Sequence, residues 1–211
     1  MSYKINTGFI PTDHGNLETI SFIPPNFESV MIVAHPHPMH GGNMNNKVVY
    51  TLANLAQQNG LYSIRFNFRG VGKSTGQYDN GIGEVHDFRR VINFVLEEIK
   101  PEKIFLSGFS FGSRILLKIL EEGFEPSGIV FAGLPIEFFK LMPFKTKIHS
   151  PVLLIQGEND EFTSESAAKA FIEQSHFENV RLQIIPKCDH FFTGKIHELS
   201  FSVNGFLKQM I

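Results

Sequence analysis

The sequence predicts an α/β architecture, a mostly parallel twisted sheet with helices on both faces, and three observations predict it. Short apolar runs alternate with helically spaced amphipathic stretches along most of the chain, the pattern of parallel strands joined by crossover helices. Val30 to Ala34 is apolar without alternation, as strands buried on both faces are. With 211 residues, 42% of them hydrophobic, the chain can bury one well-formed core. No internal repeat, low-complexity tract or long linker divides it, so a single domain over residues 1–211 is expected.

In order, Phe9 to Thr12 and Leu17 to Ile23 read as short strands around the turn-forming cluster Asp13-His14-Gly15-Asn16, an opening hairpin. Pro24-Pro25-Asn26 ends it. The Val30–Ala34 strand follows and empties into His35-Pro36-His37-Pro38-Met39-His40-Gly41-Gly42. A helix from about Asn46 to Asn59 puts Val48, Leu52, Leu55 and Ala56 on one face and stops at Gly60. From Leu61 to Phe68, Tyr62, Ile64, Phe66 and Phe68 alternate with polar residues, a strand pattern that opens into the glycine-rich loop Arg69 to Gly76. A second helix, about Gly83 to Lys100, aligns Val85, Phe88, Ile92, Val95 and Ile99 and stops at Pro101.

Lys103 to Ser107 is the next strand, and Phe111 to Glu122 is helical, with Ile115, Leu116, Ile119 and Leu120 on its stripe and Gly123 as its cap. Gly128 to Ala132 and Val152 to Gln156 are further strands, the second ending in Gly157-Glu158-Asn159-Asp160. Ser164 caps a helix to about Ser175. Val180 to Ile185 is the last strand. Beyond Pro186-Lys187-Cys188-Asp189-His190, a final helix shares Ile196, Leu199, Val203, Phe206 and Leu207 on one face.

The stretch Gly108-Phe109-Ser110-Phe111-Gly112 therefore sits on a strand-to-helix reversal. The bend forces Ser110 into a strained conformation, and the flanking glycines remove Cβ atoms that would clash. Its hydroxyl is held at the carboxyl end of a strand beside the first amides of a helix, which can stabilise an oxyanion. In an open parallel sheet, functional groups collect outside the carboxyl ends of the strands. Ser110, the His35–His40 loop, Asp160 and His190 each follow a strand. A serine hydroxyl is a weak nucleophile until a histidine takes its proton and a carboxylate fixes that histidine, and Ser110, Asp160, His190 is the chain order this kind of elbow uses.

Composition narrows the alternatives. A net charge of −2 gives no electrostatic case for nucleic acid or an anionic membrane. Cys188 is the only cysteine, so no internal disulfide can form, and a reducing compartment is expected. Met1 to Thr12 has neither a basic n-region nor an apolar h-region, and no apolar run approaches the roughly 18 residues of a membrane span. The expectation is a cytoplasmic protein. Its 22 phenylalanines, with no tryptophan, serve either core packing or an apolar ligand pocket.

Taken together, His35-Pro-His-Pro with Gly41-Gly42, Asn46-Lys47-Val48-Val49, Arg65-Phe-Asn-Phe-Arg-Gly-Val-Gly, Gly108-Phe-Ser-Phe-Gly and Asp189-His-Phe-Phe resemble the α/β-hydrolase superfamily over nearly the whole chain. More narrowly, the chain is similar to small, lidless bacterial hydrolases related to dienelactone hydrolases and acylaminoacyl-peptidase-like enzymes. The resemblance implies an α/β-hydrolase fold and serine-dependent hydrolysis; the short span between Ala132 and Val152 leaves room only for a minimal cap, and the expected substrate is a small acyl compound, an ester or thioester first and a short-peptide amide second. The resemblance also implies Ser110 as nucleophile, His190 as general base and Asp160 as the orienting acid, with Glu158 and Glu161 as rival carboxylates on the same loop. The oxyanion hole would use the backbone N–H of Phe111 and one from the loop after Ala34. Related enzymes carry His-Gly-x-Pro there; Pro36 replaces the glycine and has no N–H, which makes His37 the donor.

Competing readings are weaker. His35, His37 and His40 have the spacing of a metallo-hydrolase motif, but Met39 stands where that motif wants an acid and nothing downstream supplies further ligands, so a structural role is expected and no metal. Val71-Gly72-Lys73-Ser74 suggests a phosphate loop, but Asn67 stands where that pattern needs glycine. Arg69 is expected to anchor the glycine-rich turn, and Cys188 to pack rather than react. No organic cofactor is implied. A non-catalytic binding protein on the same fold is the remaining alternative. Phe109, Phe111, Phe138, Phe139, Phe162, Phe191 and Phe192 are candidates for an acyl pocket, at least half of them expected to be plain core. Leu141, Met142 and Phe144 would shelter substrate or face a second subunit of a homodimer.

Overall fold

The computed structural model describes residues 3–211; Met1 and Ser2, the start of the segment read for a leader, lie outside the described residues. Among the described residues eight strands form one sheet: β1 Lys4–Thr12, β2 Gly15–Ile23, β3 Ser29–Ala34, β4 Tyr62–Phe66, β5 Lys103–Phe109, β6 Gly128–Ala132, β7 Val152–Gly157 and β8 Val180–Ile185. Their order is β1-β2-β4-β3-β5-β6-β7-β8. The β1–β2 hairpin and the β2–β4 pair are antiparallel, and every pair from β4 onward is parallel. Among the described residues four α-helices connect strands, α1 Lys47–Gln58, α2 Ile82–Phe94, α3 Phe111–Glu121 and α4 Glu165–Gln174, and a fifth, α5 Ile196–Met210, follows β8. This is the α/β-hydrolase arrangement, and no helix among the described residues is long and apolar enough to cross a membrane.

Strand pleating divides the core into two layers. Val30, Ile32 and Ala34 of β3 and Leu106 of β5 face the layer completed by α2, α3 and α4, with Phe88, Val91, Ile115, Leu116 and Phe171. Met31 and Val33 of β3 and Phe105 and Phe109 of β5 face the opposite layer, completed by α1 and α5 through Leu52, Ala56, Leu199 and Val203. Burying each such side chain contributes about 1.5–3 kcal/mol, so the two layers supply most of the drive to fold.

Several elements differ from expectation, each for a local reason. β1 begins at Lys4 rather than Phe9, because Lys4 to Gly8 pair with β2 as an edge strand whose polar side chains carry no apolar signal. β4 stops at Phe66, two residues short, where the Asn67 N–H turns to Glu18 O at 2.9 Å. Its polar positions are not solvent-facing: Ser63 and Arg65 are buried, and Arg65 donates to Met44 O at 2.7 Å while lying over the rings of Phe22 and Tyr50. The helix read from Gly83 to Lys100 is α-helical only to Phe94. Val95–Ile99 winds into a π turn closed by Lys100 N–H to Val95 O at 2.9 Å.

Between β6 and β7 the chain runs through turns with no helix, consistent with a minimal cap. Phe144, read with Leu141 and Met142 as sheltering substrate or facing a second subunit, is instead buried and stacked on Phe177 at 5.6 Å, while Met142 is exposed. An apolar run outside any strand carries no sign of which members the core takes up.

Candidate active site

β5 ends at Phe109, and Ser110 turns the chain into α3 with φ +54 and ψ −117, a region a residue with a Cβ rarely occupies. Such strain costs on the order of 1–3 kcal/mol and persists only where the surroundings over-determine it. Here they do: the Ser110 N–H is held by Ala132 O at 2.9 Å, its carbonyl caps Arg114 N at 3.1 Å, and the flanking glycines let the turn close. A Cβ on Gly108 would lie 2.5 Å from Gly112 C, and one on Gly112 would lie 2.6 Å from Ala34 O and 2.8 Å from His35 O. The backbones of the elbow and of the loop after β3 are therefore in direct contact.

The loops after β5, β7 and β8 bring Ser110, Asp160 and His190 together. His190, wholly buried, has Nε2 2.8 Å from Ser110 Oγ and Nδ1 2.9 Å from Asp160 Oδ2. Asp160 Oδ1 also accepts from the N–H groups of Phe162 at 2.8 Å and Thr163 at 3.1 Å. A carboxylate ringed by donors in this way accepts the Nδ1–H of His190 in a hydrogen bond, which leaves Nε2 to accept the Ser110 hydroxyl. The rival carboxylates do other work. Glu158 accepts from Lys187 N–H at 2.8 Å and Glu161 from His190 N–H at 3.3 Å, so both hold the backbone of the histidine loop and neither touches the ring.

The Phe111 N–H opens α3, in the first turn where amides have no intrahelical acceptor. His37 lies across from it, their rings 4.9 Å apart. The His37 ring accepts from Met39 N–H at 3.2 Å through Nδ1 and meets the Tyr78 hydroxyl at 3.2 Å through Nε2. Burial first, then the neighbouring charges of His40 and Arg114, hold its pKa below the ordinary value, and a neutral ring is what the Met39 contact requires. His35 is fully buried, with Nδ1 on Pro36 O at 2.6 Å and Nε2 accepting Phe68 N–H at 3.0 Å, and burial lowers its pKa to about 4. Both of its nitrogens are committed to backbone, so the ring braces the loop. Arg69 grips the Asp87 carboxylate through Nε and Nη2, the latter at 2.7 Å, and ties the glycine-rich turn to α2.

Beside Ser110 lies a cavity of about 100 Å³ walled by Pro135, Phe138, Phe139, Phe162 and Phe191, with His37 and His40 at one end. Phe109, Phe111 and Phe192 are core. Fewer than half of the candidate phenylalanines are thus plain packing, because the loops after β6 and β7 turn Phe138, Phe139 and Phe162 toward the site. Sequence reasoning passed over Gln156 and Thr163. Gln156 is wholly buried and joins Leu134 N, at 2.7 Å, to the Asp160 carboxylate, at 3.4 Å. Thr163 Oγ1 donates to Leu134 O at 2.7 Å and accepts from Ile136 N–H at 2.7 Å. A glutamine closing the apolar run Val152–Ile155 was the available signal, since a polar side chain at the end of a buried strand needs partners.

Comparison with known proteins agrees with this architecture. A family model described as an alpha/beta hydrolase domain matches residues 28–203. An uncharacterized protein of Rickettsia prowazekii is 34% identical over 187 residues, 84% of this chain and 78% of its own length. Among solved structures, an alpha-beta serine hydrolase homologue from Coxiella burnetii is 37% identical, with 96% of this chain and 97% of that chain covered and a TM-score of 0.86. A serine hydrolase without lid from Xanthomonas campestris is 28% identical, with 99% and 96% covered and a TM-score of 0.87. By the span of the family match and the identity of these relatives, the chain belongs to the alpha/beta hydrolase family.

Proposed function

We propose that this protein is a serine hydrolase that cleaves a carboxylic ester or thioester of a small acyl substrate through an acyl-serine intermediate, with Ser110, His190 and Asp160 as its triad. Ser110 Oγ attacks the carbonyl carbon as its proton passes to His190 Nε2. The electron pair of the broken π bond moves to the carbonyl oxygen, which the N–H groups of Phe111 and His37 receive. Asp160 stabilises the imidazolium that forms. The intermediate collapses, the leaving alcohol or thiol takes the proton from His190, and the acyl group stays on Ser110. Water, deprotonated by the same Nε2, then attacks the ester carbonyl, and as the C–Oγ bond breaks His190 returns the proton to Ser110 Oγ, releasing the acid and the free serine. Apart from that water, every group named is a side chain or amide of this chain.

The observation that carries this reading is the unbroken contact line from Ser110 Oγ through His190 to Asp160, at 2.8 and 2.9 Å, ending on a serine in a strained turn. A fluorophosphonate probe tests it. The wild type should label on Ser110 and hydrolyse p-nitrophenyl esters, and Ser110→Ala should lose the label and at least about 10⁴-fold in kcat. Folded wild type that does not label identifies a binding protein on this fold. Turnover that persists in Ser110→Ala overturns the nucleophile.

A further inference from the structure

We infer that the cavity beside Ser110 is an acyl subsite that selects a flat aromatic group over a saturated group of the same size; the inference rests on the acyl-serine reading above. Size is the first constraint. A cavity of about 100 Å³, open at its mouth, takes at most a single six-membered ring with part of it standing in the mouth, since about 150 Å³ of enclosed apolar space holds one benzene. A long chain would run out past Phe138 and Phe191.

Shape and electrostatics choose among compact groups. Phe138 stands at right angles to Phe139, with centroids 4.9 Å apart and planes at 87°, and nearly so to Phe162, at 4.9 Å and 76°. Phe162 and Phe191 meet at 82°. Adjacent walls thus offer ring faces and ring edges by turns. A guest ring, with its negative face and positive edge, can take an edge-to-face contact from one wall and an offset stack from the next, whereas a saturated ring has no quadrupole to match. The rings brace one another and so hold these orientations.

Charge disfavours a cation. No carboxylate lines the cavity, so a cationic acyl group finds no counter-charge there. The Arg114 guanidinium, 4.4 Å from the Phe139 centroid, also disfavours a cation in the aromatic cage. Phe138 and Phe191, 53% and 54% exposed, leave apolar surface at the mouth for the guest to cover.

The test compares p-nitrophenyl phenylacetate with p-nitrophenyl cyclohexylacetate. They share a leaving group, and a methylene insulates each carbonyl from its ring. Wild type should favour phenylacetate in kcat/KM by about two- to tenfold, the ratio that aromatic pairing supplies. Phe138→Leu and Phe191→Leu, which keep an apolar wall and remove a ring, should each bring that ratio toward one. A ratio at or below one in wild type that labels with fluorophosphonate overturns the subsite and leaves the serine mechanism standing. A preference seen only with the ring on the alcohol side, in benzyl against cyclohexylmethyl acetate, overturns the acyl assignment. Wild type that neither labels nor cleaves either ester overturns both readings.

Discussion

Phe68 donates its backbone N–H to His35 Nε2 across 3.0 Å, while Nδ1 of the same ring sits 2.6 Å from Pro36 O. The two bonds define one neutral tautomer, and they join the loop after β3 to the end of the β4 segment. Whatever the His37 amide does at the site depends on this brace two residues upstream.

His35 should make stability sensitive to acid. Its folded pKa is about 4, below the ordinary 6.5, chiefly because burial penalises the charge. As pH falls through that window the unfolded chain binds a proton that the folded chain refuses, so stability is lost from about 6.5 downward and the loss levels off below about 4. The total is on the order of 3 kcal/mol. Urea-unfolding midpoints across the window should fall more steeply in wild type than in His35→Gln. Parallel slopes would show that another group carries the dependence.

Gln156 should matter to both stability and rate. Gln156→Leu removes the donor to Asp160 and strands the buried Leu134 N–H, which should cost about 1–3 kcal/mol of stability. With Asp160 less firmly held, kcat should fall while KM changes little. Denaturant unfolding and ester kinetics on the same preparation check the pair, and an unchanged kcat would remove Gln156 from the positioning of the acid.

Two glycines should respond in opposite directions. Gly112→Ala drives a methyl to 2.6 Å from the rigid Ala34 carbonyl and should destabilise by about 1–3 kcal/mol. Gly205, in the middle of α5, has nothing within 4 Å of an added Cβ, so Gly205→Ala should stabilise by about 0.5–1 kcal/mol. Thermal or urea denaturation decides the signs.

Cys188 should resist alkylation. The thiol is buried, donates to Asp189 O at 3.3 Å, and burial, followed by the charges of Asp189 and Asp160, pushes its pKa up to about 11. Iodoacetamide should label native protein at least about a hundredfold more slowly than unfolded protein, with hydrolysis untouched. Rapid inactivation would mean the thiol is reachable from the site.

Much of the architecture is legible along the chain, because strand and helix periodicities survive wherever one element packs on another. Asn46 at the start of α1 and Ser164 at the start of α4 act locally, through side chains that bond amides two or three residues away, and the hairpin at Asp13-His14 joins strands adjacent in the chain. Periodicity is no guide to burial at β4, where Ser63 and Arg65 alternate with apolar residues yet are buried, or at Phe144, which the core takes up from a stretch with no repeat.

By itself, the sequence determined which strands and helices form, that Ser110 sits on a glycine-flanked bend, and that a carboxylate and a histidine follow later strands. These are consequences of short-range spacing and of residue types. Only the tertiary structure decided that Asp160 rather than Glu158 or Glu161 meets His190, that Gln156 and Thr163 bind the acid loop to Leu134, and which phenylalanines wall the cavity. Those relations join residues dozens of positions apart, and their geometry is set by how β6, β7 and β8 lie side by side in the sheet, which no local pattern encodes.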